Sequence, residues 1–291
     1  MKVSVLLISY NHEKYIKQCV ESILAQETPF KVEVIVADDC STDATIQIIS
    51  KLLLKCKFSY KVLDTHKNLG MHKNYQRGFA ACSGEYIALM EGDDYWLDSR
   101  RLVKHIEYLE KNPECVMSFN RLIVKDEIKG TLREKRWDYP GSTQPVTTAM
   151  LAQGNSIGNL SACVIRRSAF MKLDPDIHEL GFADWMLGMA LGEQGFLVKL
   201  KEPMSVYRVH DKGIWHSKTR TDNLKNMIIP NIDKYDKYLG YRYHDEFMAY
   251  KKRLKSKLRK NIYKNNIMKY TPGFLKALIQ FKICKYIWRA F

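Results

Sequence analysis

Three carboxylates lie within four residues at the end of an apolar run. The run extends from Tyr86 to Met90, and Glu91, Asp93 and Asp94 follow it. Such a run is typical of a buried strand, and open α/β sheets bind ligands at the carboxyl ends of their strands. Clustered carboxylates repel one another unless a cation lies between them, and oxygen ligands suit Mg²⁺ or Mn²⁺. The sequence therefore predicts a metal site that faces a phosphorylated ligand.

A second acidic pair, Asp38 and Asp39, ends another apolar and β-branched run. We expect the two runs to form neighbouring parallel strands, whose acidic ends then face the same edge of the sheet. That edge would also hold Ser9, Tyr10 and Asn11, at the end of the first run. An aromatic ring beside carboxylates can hold a nucleotide base by stacking and hydrogen bonding. The alternative is that aspartates after strands only cap turns or helices.

Alternating strands and helices would position these residues. The pattern predicts strands at 3–9, 32–37, 60–63 and 86–90, and helices at 13–26, 42–56 (with Ser41 as its N-cap) and 72–81. This repetition predicts an α/β fold with a parallel sheet and helices on both faces.

The second half of the chain has a coarser pattern. It predicts helices at 100–111, 147–153 and 184–195, strands at 116–120, 161–166, 197–200 and 204–209, and a polar loop at 125–145. From residue 220 onward the pattern is helical and basic.

The composition excludes several classes of protein. A hydrophobic content of 46% over 291 residues supports a core and argues against global disorder. The seven cysteines are scattered without a CxxC pair, so neither a disulfide framework nor a zinc site is predicted, and a reducing cytosol fits best. The first apolar run is too short for a signal peptide, and we expect no membrane-spanning helix.

The positive charge is concentrated at the C-terminal end. Residues 217–291 contain 19 Lys and Arg against 5 Asp and Glu, a net of +14 out of +15 for the whole chain. This asymmetry divides the chain into a near-neutral domain, residues 1–216, and a basic helical extension, residues 217–291.

Taken in order, the motifs resemble the inverting glycosyltransferases of family 2. The matching segments are Ser9-Tyr10-Asn11, Val36 to Asp43, Asn68-Leu69-Gly70 and Gly84 to Asp94, and the match covers about the first 215 residues. The resemblance implies the GT-A fold, with a Rossmann-like, mixed but mostly parallel sheet flanked by helices. Residues 1–98 would be its nucleotide-binding half and residues 99–216 its acceptor-binding half.

The resemblance implies a donor site in the first half of the chain. Tyr10 and Asp39 match positions that hold the nucleoside of a nucleotide-sugar, expected to be a UDP-sugar. Asp94 would order the ribose or the water around a metal, and Lys73 would offset phosphate charge. The donor-binding set is then Ser9, Tyr10, Asn11, Asp38, Asp39, Lys73 and Asp94.

The resemblance also implies a Mn²⁺ or Mg²⁺ cofactor. Asp93 matches the metal-binding second acid of the DXD motif, and Glu91 occupies the first position, where aspartate is usual. His210 matches a histidine that approaches the metal or the diphosphate as a neutral imidazole, although an ordinary surface histidine is the alternative. The predicted metal-binding set is Asp93, Glu91 and His210.

The base that activates the acceptor is expected at Asp184. Family members have an acidic pair at the start of a late helix, and here Ala183 replaces its first acid. A helix N-cap is the alternative role for Asp184. The predicted acceptor-binding residues are Asn155, Ser156, Asn159 and Trp185, although an ordinary loop and a buried tryptophan would fit the same pattern.

The basic extension predicts an interfacial helix that binds an anionic membrane surface. The enzyme would then be cytoplasmic and peripheral at the inner face of the cell membrane, acting on a glycan or lipid-linked glycan. One alternative is a helical hairpin packed on the catalytic domain. Nucleic-acid binding is not expected, because no nucleic-acid motif is present. A nucleotide-sugar-binding protein without catalysis also remains open, since positions 91 and 183 both depart from the family pattern.

Overall fold

The computed structural model describes residues 1–134, 142–174, 177, 180, 184–213 and 220–270. Its strands are β1 (Val3–Ser9), β2 (Val32–Asp38), β3 (Ser59–Val62), β4 (Tyr86–Glu91), β5 (Tyr95–Trp96), β6 (Cys115–Asp126), β7 (Thr131–Glu134), β8 (Gln144–Val146), β9 (Cys163–Arg166) and β10 (Phe196–Val209). Its helices are α1 (Ile16–Leu24), α2 (Thr45–Leu53), α3 (Met71–Ala81), α4 (Arg101–Lys111), α5 (Thr148–Ala152), α6 (Arg167–Phe170), α7 (Asp184–Gly192), α8 (Arg220–Asn223), α9 (Ile229–Tyr238) and α10 (His244–Tyr270). A 3₁₀ turn at Leu160–Ala162 precedes β9, and a π-helical turn at Leu224–Ile228 joins α8 to α9.

The strands form a single mixed sheet in the order β3-β2-β1-β4-β9-β6-β10-β5. The first four strands are parallel, β9 runs antiparallel to both β4 and β6, and β10 is parallel to β6. The predicted α/β fold, with a mixed but mostly parallel sheet, is confirmed. The expectation that the two acidic runs are neighbours is wrong, because β1 pairs with both and lies between them.

Alternating side chains of the parallel strands enter two separate cores. Leu6 and Leu89 pack with α3 and with the C-terminal helices on one face. Val5 and Leu7 pack with α1, α2 and α4 on the other. Because both faces are covered, these strands read as continuous apolar runs, which is why their positions could be predicted.

Residues 99–216 differ from the prediction in two places. The predicted loop at 125–145 contains β7 and β8, and β6 continues to Asp126 with side chains that alternate between buried and half-buried. The two short strands predicted at 197–200 and 204–209 are the single strand β10, whose register against β6 shifts around Pro203. Such one-sided and irregular strands lack the continuous apolar run that marks a fully buried strand.

The start of α2 also differs from the prediction. The helix begins at Thr45 with Ala44 as its N-cap residue, and the Thr45 N–H donates to Asp43 Oδ1, 3.0 Å. Ser41 instead donates its hydroxyl to Asp38. The predicted N-cap is therefore wrong, and Ser41 belongs to the loop that closes β2.

The described part of the basic extension packs on the core formed by residues 1–216. Ile232 and Tyr235 of α9, and Phe247 and Leu254 of α10, are buried in the same core as α7. Packing on the catalytic domain, one of the two alternatives, therefore describes these helices. The apolar and basic residues after position 270 lie outside the described residues. Among the helices that the structure describes, none is long and apolar enough to cross a membrane.

Candidate active site

A tight turn carries the acidic cluster at the end of β4. The Gly92 N–H donates to the carbonyl of Ile8 in β1, 2.8 Å, and the Asp94 N–H donates to the carbonyl of Glu91, 3.0 Å. A Cβ on Gly92 would lie 2.7 Å from His12 Nδ1 and 2.9 Å from a terminal methyl of Ile16. Only glycine therefore lets the acidic turn approach the loop after β1 this closely.

Asp94 is completely buried and hydrogen-bonded on both carboxylate oxygens. Its Oδ1 accepts from the Arg208 N–H, 2.9 Å, and its Oδ2 accepts from Ser161 Oγ, 2.7 Å, and Asn159 Nδ2, 2.9 Å. Burial, and then the charge of Asp93, raises the pKa of Asp94 well above its ordinary range. Asp94 therefore anchors the turn to β10 and to the loop before β9, rather than facing a ligand.

Glu91 is also held by protein donors. Its Oε1 accepts from the Tyr75 hydroxyl, 3.2 Å, and its Oε2 from Asn159 Nδ2, 3.0 Å. Burial raises the pKa of Glu91 well above its ordinary range, and the charges of Asp93, Asp94 and Asp184 add to this. Asn159 thus bridges the first and last acids of the cluster, a role that differs from the acceptor contact expected for it.

Asp93 is the acid of this turn that faces two histidines. Its Oδ2 lies 3.1 Å from His210 Nε2 and 4.0 Å from His12 Nε2. Although burial alone would raise the pKa of Asp93, the hydrogen bond from His210 and the nearby His12 lower it. The Nδ1 atoms of both histidines are buried without a hydrogen-bond partner.

This arrangement bears on the expected metal. Within the described part of the chain, no three His, Cys, Asp or Glu side chains are grouped as a complete metal site. Asp93 and His210 supply one carboxylate and one imidazole, a pair that suits Mn²⁺ or Mg²⁺ when a diphosphate and water complete the shell. These two residues fit the implied ion, whereas Glu91 and Asp94 already satisfy protein donors.

Arg208 was not among the predicted site residues, yet its side chain hydrogen-bonds to the acidic turn. The side chain is 3% exposed, and its Nη1 donates to the carbonyl of Asp93, 2.7 Å. It also bonds Gln18 and Glu127, and its guanidinium lies 4.6 Å from the ring centroid of Tyr95. Its position near the end of β10, two residues before His210, was the signal that could have identified it, because residues two apart in extended chain share a face.

The acids that end β2 serve the loops around them. Asp38 accepts from Ser9 Oγ, 2.7 Å, and from both the N–H, 2.8 Å, and the hydroxyl, 2.6 Å, of Ser41. Asp39 accepts from the N–H groups of Leu69, 2.7 Å, and Gly70, 2.9 Å. Both acids are buried, so the turn-capping alternative describes their contacts.

Three other residues that were predicted to bind the nucleotide-sugar donor lie around this edge of the sheet. Tyr10 is 43% exposed, which leaves its ring open to a ligand. Asn11 has a φ of +56° and accepts the Thr42 N–H through Oδ1, 2.8 Å, so it shapes the loop. Lys73 is exposed in the first turn of α3.

On the acceptor side, Asp184 is the first residue of α7 and is half-buried. Asn155 Nδ2 donates to Asp184 Oδ2, 3.0 Å, and Ser156 is half-buried in the same loop. Trp185 is 6% exposed and its indole N–H donates to the carbonyl of Leu151, 2.7 Å, so it is a core residue rather than an open sugar platform. Residues 181–183, including Ala183, lie outside the described residues.

A family comparison agrees with this architecture. The model described as "Glycosyl transferase family 2" matches residues 4–174. A protein of Mycobacterium tuberculosis is 35% identical over 219 residues, which are 74% of this chain and 61% of that protein. The chain thus spans about three fifths of the length of that relative. The poly(ribitol-phosphate) beta-N-acetylglucosaminyltransferase TarS of Staphylococcus aureus is 38% identical over 179 residues, 61% of this chain and 29% of TarS.

Solved structures share the fold. The crystal structure of S. aureus TarS 1–349 in complex with UDP-GlcNAc superposes with a TM-score of 0.61 at 20% identity, covering 86% of this chain and 73% of that one. A mannosyltransferase from Pyrobaculum calidifontis in complex with GDP-Man and Mn²⁺ gives a TM-score of 0.60 at 12% identity, covering 98% and 80%. At these identities the likeness establishes the GT-A fold alone.

Proposed function

Since the chain belongs to glycosyltransferase family 2, we propose that it moves a sugar from a nucleotide-sugar to a hydroxyl group of a glycan or lipid-linked glycan, with inversion at the anomeric carbon. The observation that carries this proposal is the loop 155–159. Asn155 binds Asp184, and Asn159 binds Glu91 and Asp94. The loop thus links the Asp184 carboxylate to the acidic turn, as an acceptor base and a diphosphate site require.

The donor would lie along the edge formed by β1, β2 and β4. The exposed ring of Tyr10 is available to stack on a base. Asp39, fixed by two backbone N–H groups, would present its remaining acceptor capacity to that base. We propose a UDP-sugar, in keeping with the UDP-GlcNAc complex of the TarS structure. Lys73 would approach the diphosphate from α3.

Asp93 and His210 would hold a Mn²⁺ or Mg²⁺ ion. When bound, such an ion offsets the negative charge that develops on the departing diphosphate. The chain's own contribution is preorganisation, because Arg208 and the donors to Asp94 fix the turn before the donor arrives. Fixed groups need no reorganisation during the reaction, which is the main advantage of an enzyme site over water.

Asp184 would act as the general base. Its carboxylate takes the proton of the acceptor hydroxyl as that oxygen attacks the anomeric carbon, and the nucleoside diphosphate leaves from the opposite side. Asn155, through its bond to Oδ2, would orient the carboxylate toward the acceptor. Ser156, in the same loop, would contact the acceptor.

The basic extension would bring the enzyme to an anionic membrane surface. The buried face of α10 is used in packing, so its contribution to membrane binding would be charge rather than insertion. Each cation near an anionic leaflet contributes about 1 kcal/mol. Exposed cations of α10 include Lys252, Arg253, Lys255, Arg259 and Lys260.

Release of UDP tests the proposed function without a known acceptor. The protein is incubated with UDP-GlcNAc and other nucleotide-sugars in the presence of Mn²⁺, and UDP is measured over time. Slow UDP release that is lost in Asp184→Asn supports a catalytic centre. A thermal shift with UDP and Mn²⁺ but no release from any donor would support a non-catalytic nucleotide-sugar-binding protein instead.

A further inference from the structure

The basic extension has no part in the chemistry proposed above, yet its helix α10 reaches the acceptor side of the site. Phe247 and Leu254 are buried in the core that α10 shares with α7 and α9. Arg253, one residue before Leu254, donates through Nη2 to the carbonyl of Gln153, 2.7 Å. Helix α10 therefore lies directly against the start of the loop that carries Asn155.

The same helix places the ring of Tyr250 over Gly154. A Cβ built on Gly154 would lie 3.3 Å from ring atom Cε2 and 3.4 Å from Cζ. Gly154 also has a φ of +149°, a conformation that other residues rarely adopt. The Tyr250 ring thus fills the space that a side chain at position 154 would take, and the loop has a backbone shape that glycine permits.

The ring of Tyr250 also meets Trp185 in α7. The two rings are edge-to-face, with centroids 5.8 Å apart and planes at 88°. Tyr235 of α9 makes a second edge-to-face contact with Trp185, at 5.3 Å and 84°. Such aromatic pairs contribute about 0.5–1.5 kcal/mol beyond the area they bury. Two residues of the extension therefore fix the first turn of α7.

These contacts lie on both sides of one hydrogen bond, the bond between Asn155 and Asp184. Gly154 immediately precedes Asn155, Trp185 immediately follows Asp184, and Asn155 donates to Asp184. A single ring thus touches the neighbours of both hydrogen-bonding partners. We propose that Tyr250 is a positioning residue that holds the Asn155–Asp184 pair in place, so that the basic extension sets the geometry of acceptor activation.

This inference rests on the proposed function, with Asp184 as the base. A base must lie within hydrogen-bond reach of the proton it removes, and a displacement of about 1 Å can cost about a hundredfold in rate. Tyr250 contacts Asp184 only through its neighbours, so its loss should lower the rate of the chemical step without weakening donor binding.

The test compares Tyr250→Leu, which removes the ring, with Tyr250→Phe, which keeps it. UDP release from UDP-GlcNAc with Mn²⁺ is measured in the full chain, and kcat and KM are read separately. We expect Tyr250→Leu to lower kcat about ten- to hundredfold with an unchanged KM for UDP-GlcNAc, and Tyr250→Phe to retain the wild-type kcat. An unchanged kcat in Tyr250→Leu, or equal losses in both variants, would overturn the proposal.

Hydrogen exchange provides a second measurement that needs no turnover. We expect Tyr250→Leu to raise exchange in residues 151–160 and 184–192 but not in 86–94, since the acidic turn is fixed by other donors. Unchanged exchange in the first two segments would refute the positioning role whatever the activity. If exchange responds as expected but the wild-type protein releases UDP from no nucleotide-sugar, the proposed function fails and the positioning of Asp184 by Tyr250 stands.

Discussion

The carboxyl ends of β2 and β4 both carry acids, but the acids are satisfied in opposite ways. Asp38 and Asp39 take their hydrogen bonds from the first 70 residues, mainly from backbone N–H groups and the hydroxyls of two serines. Asp93 and Asp94, after β4, bond to residues between 65 and 117 positions away, and the partner of the Asp93 carboxylate there is His210. The acids of the β2 end are thus held within the first part of the chain, whereas the β4 end joins distant parts of the chain and places Asp93 beside two histidines.

The replacement Asp93→Asn, at the β4 end, should cause the largest loss of turnover. It removes the carboxylate that faces His210 while keeping the shape of the side chain. We expect turnover to fall about 10³-fold with an unchanged circular dichroism spectrum and melting temperature. UDP release with Mn²⁺ measures the loss. Near-normal release by this variant would show that Asp93 is not the acid that serves the diphosphate.

The replacement Asn159→Leu should separate the two acids that Asn159 bridges. Glu91 and Asp94 would each lose a donor while buried, and each such loss costs about 1–3 kcal/mol. We expect the free energy of unfolding to fall by about 3 kcal/mol, as measured by urea denaturation, together with a loss of turnover. Ser156→Ala in the same loop is the control. A variant as stable as this control would show that the bridge contributes little.

The replacement Asp38→Asn tests whether the β2 end contributes to stability rather than to turnover. It places an amide NH₂ among three donors, at a cost of about 2 kcal/mol. We expect a lower melting temperature but an unchanged kcat for the folded protein, because Asp38 supports a loop. A fall in kcat as large as that of Asp93→Asn would show that Asp38 takes part in the reaction. The distinction between the two ends would then be lost.

The pH dependence of stability should distinguish Glu91 from ordinary surface acids. Because the pKa of Glu91 is raised in the folded protein, Glu91 loses its proton at a lower pH in the unfolded chain than in the folded one. Glu91 therefore lowers the free energy of unfolding above about pH 4. Each unit of raised pKa corresponds to about 1.4 kcal/mol. We expect Glu91→Gln to gain stability relative to the wild-type protein between pH 5 and pH 8, as measured by urea unfolding in EDTA. Parallel curves for the two proteins would contradict this.

Sequence reasoning located the acids of this site better than it assigned their partners. The runs that become β1, β2 and β4 are buried on both faces, so their ends could be predicted. Strands β7 and β8 are short and largely exposed, and they carry no such signal. The roles of Asn159 and Arg208 depend on residues 65 to 115 positions away, which local patterns do not encode. Trp185 matched a motif, but its burial depends on the packing of α9 and α10.

Both acidic ends are hydrogen-bonded to consecutive carbonyls of one strand. Asp39 N–H donates to Ser9, 2.9 Å, and Gly92 N–H donates to Ile8, 2.8 Å. A shift of either acidic end would therefore strain the part of β1 that holds the other end. We expect this edge of the sheet to be rigid. Movement during a catalytic cycle would then fall to the start of the loop 155–159, where Asn155 hydrogen-bonds to Asp184. Engineering a new acceptor preference should begin at Asn155 and Ser156, because Asn159 at the other end of the loop hydrogen-bonds to the acidic turn.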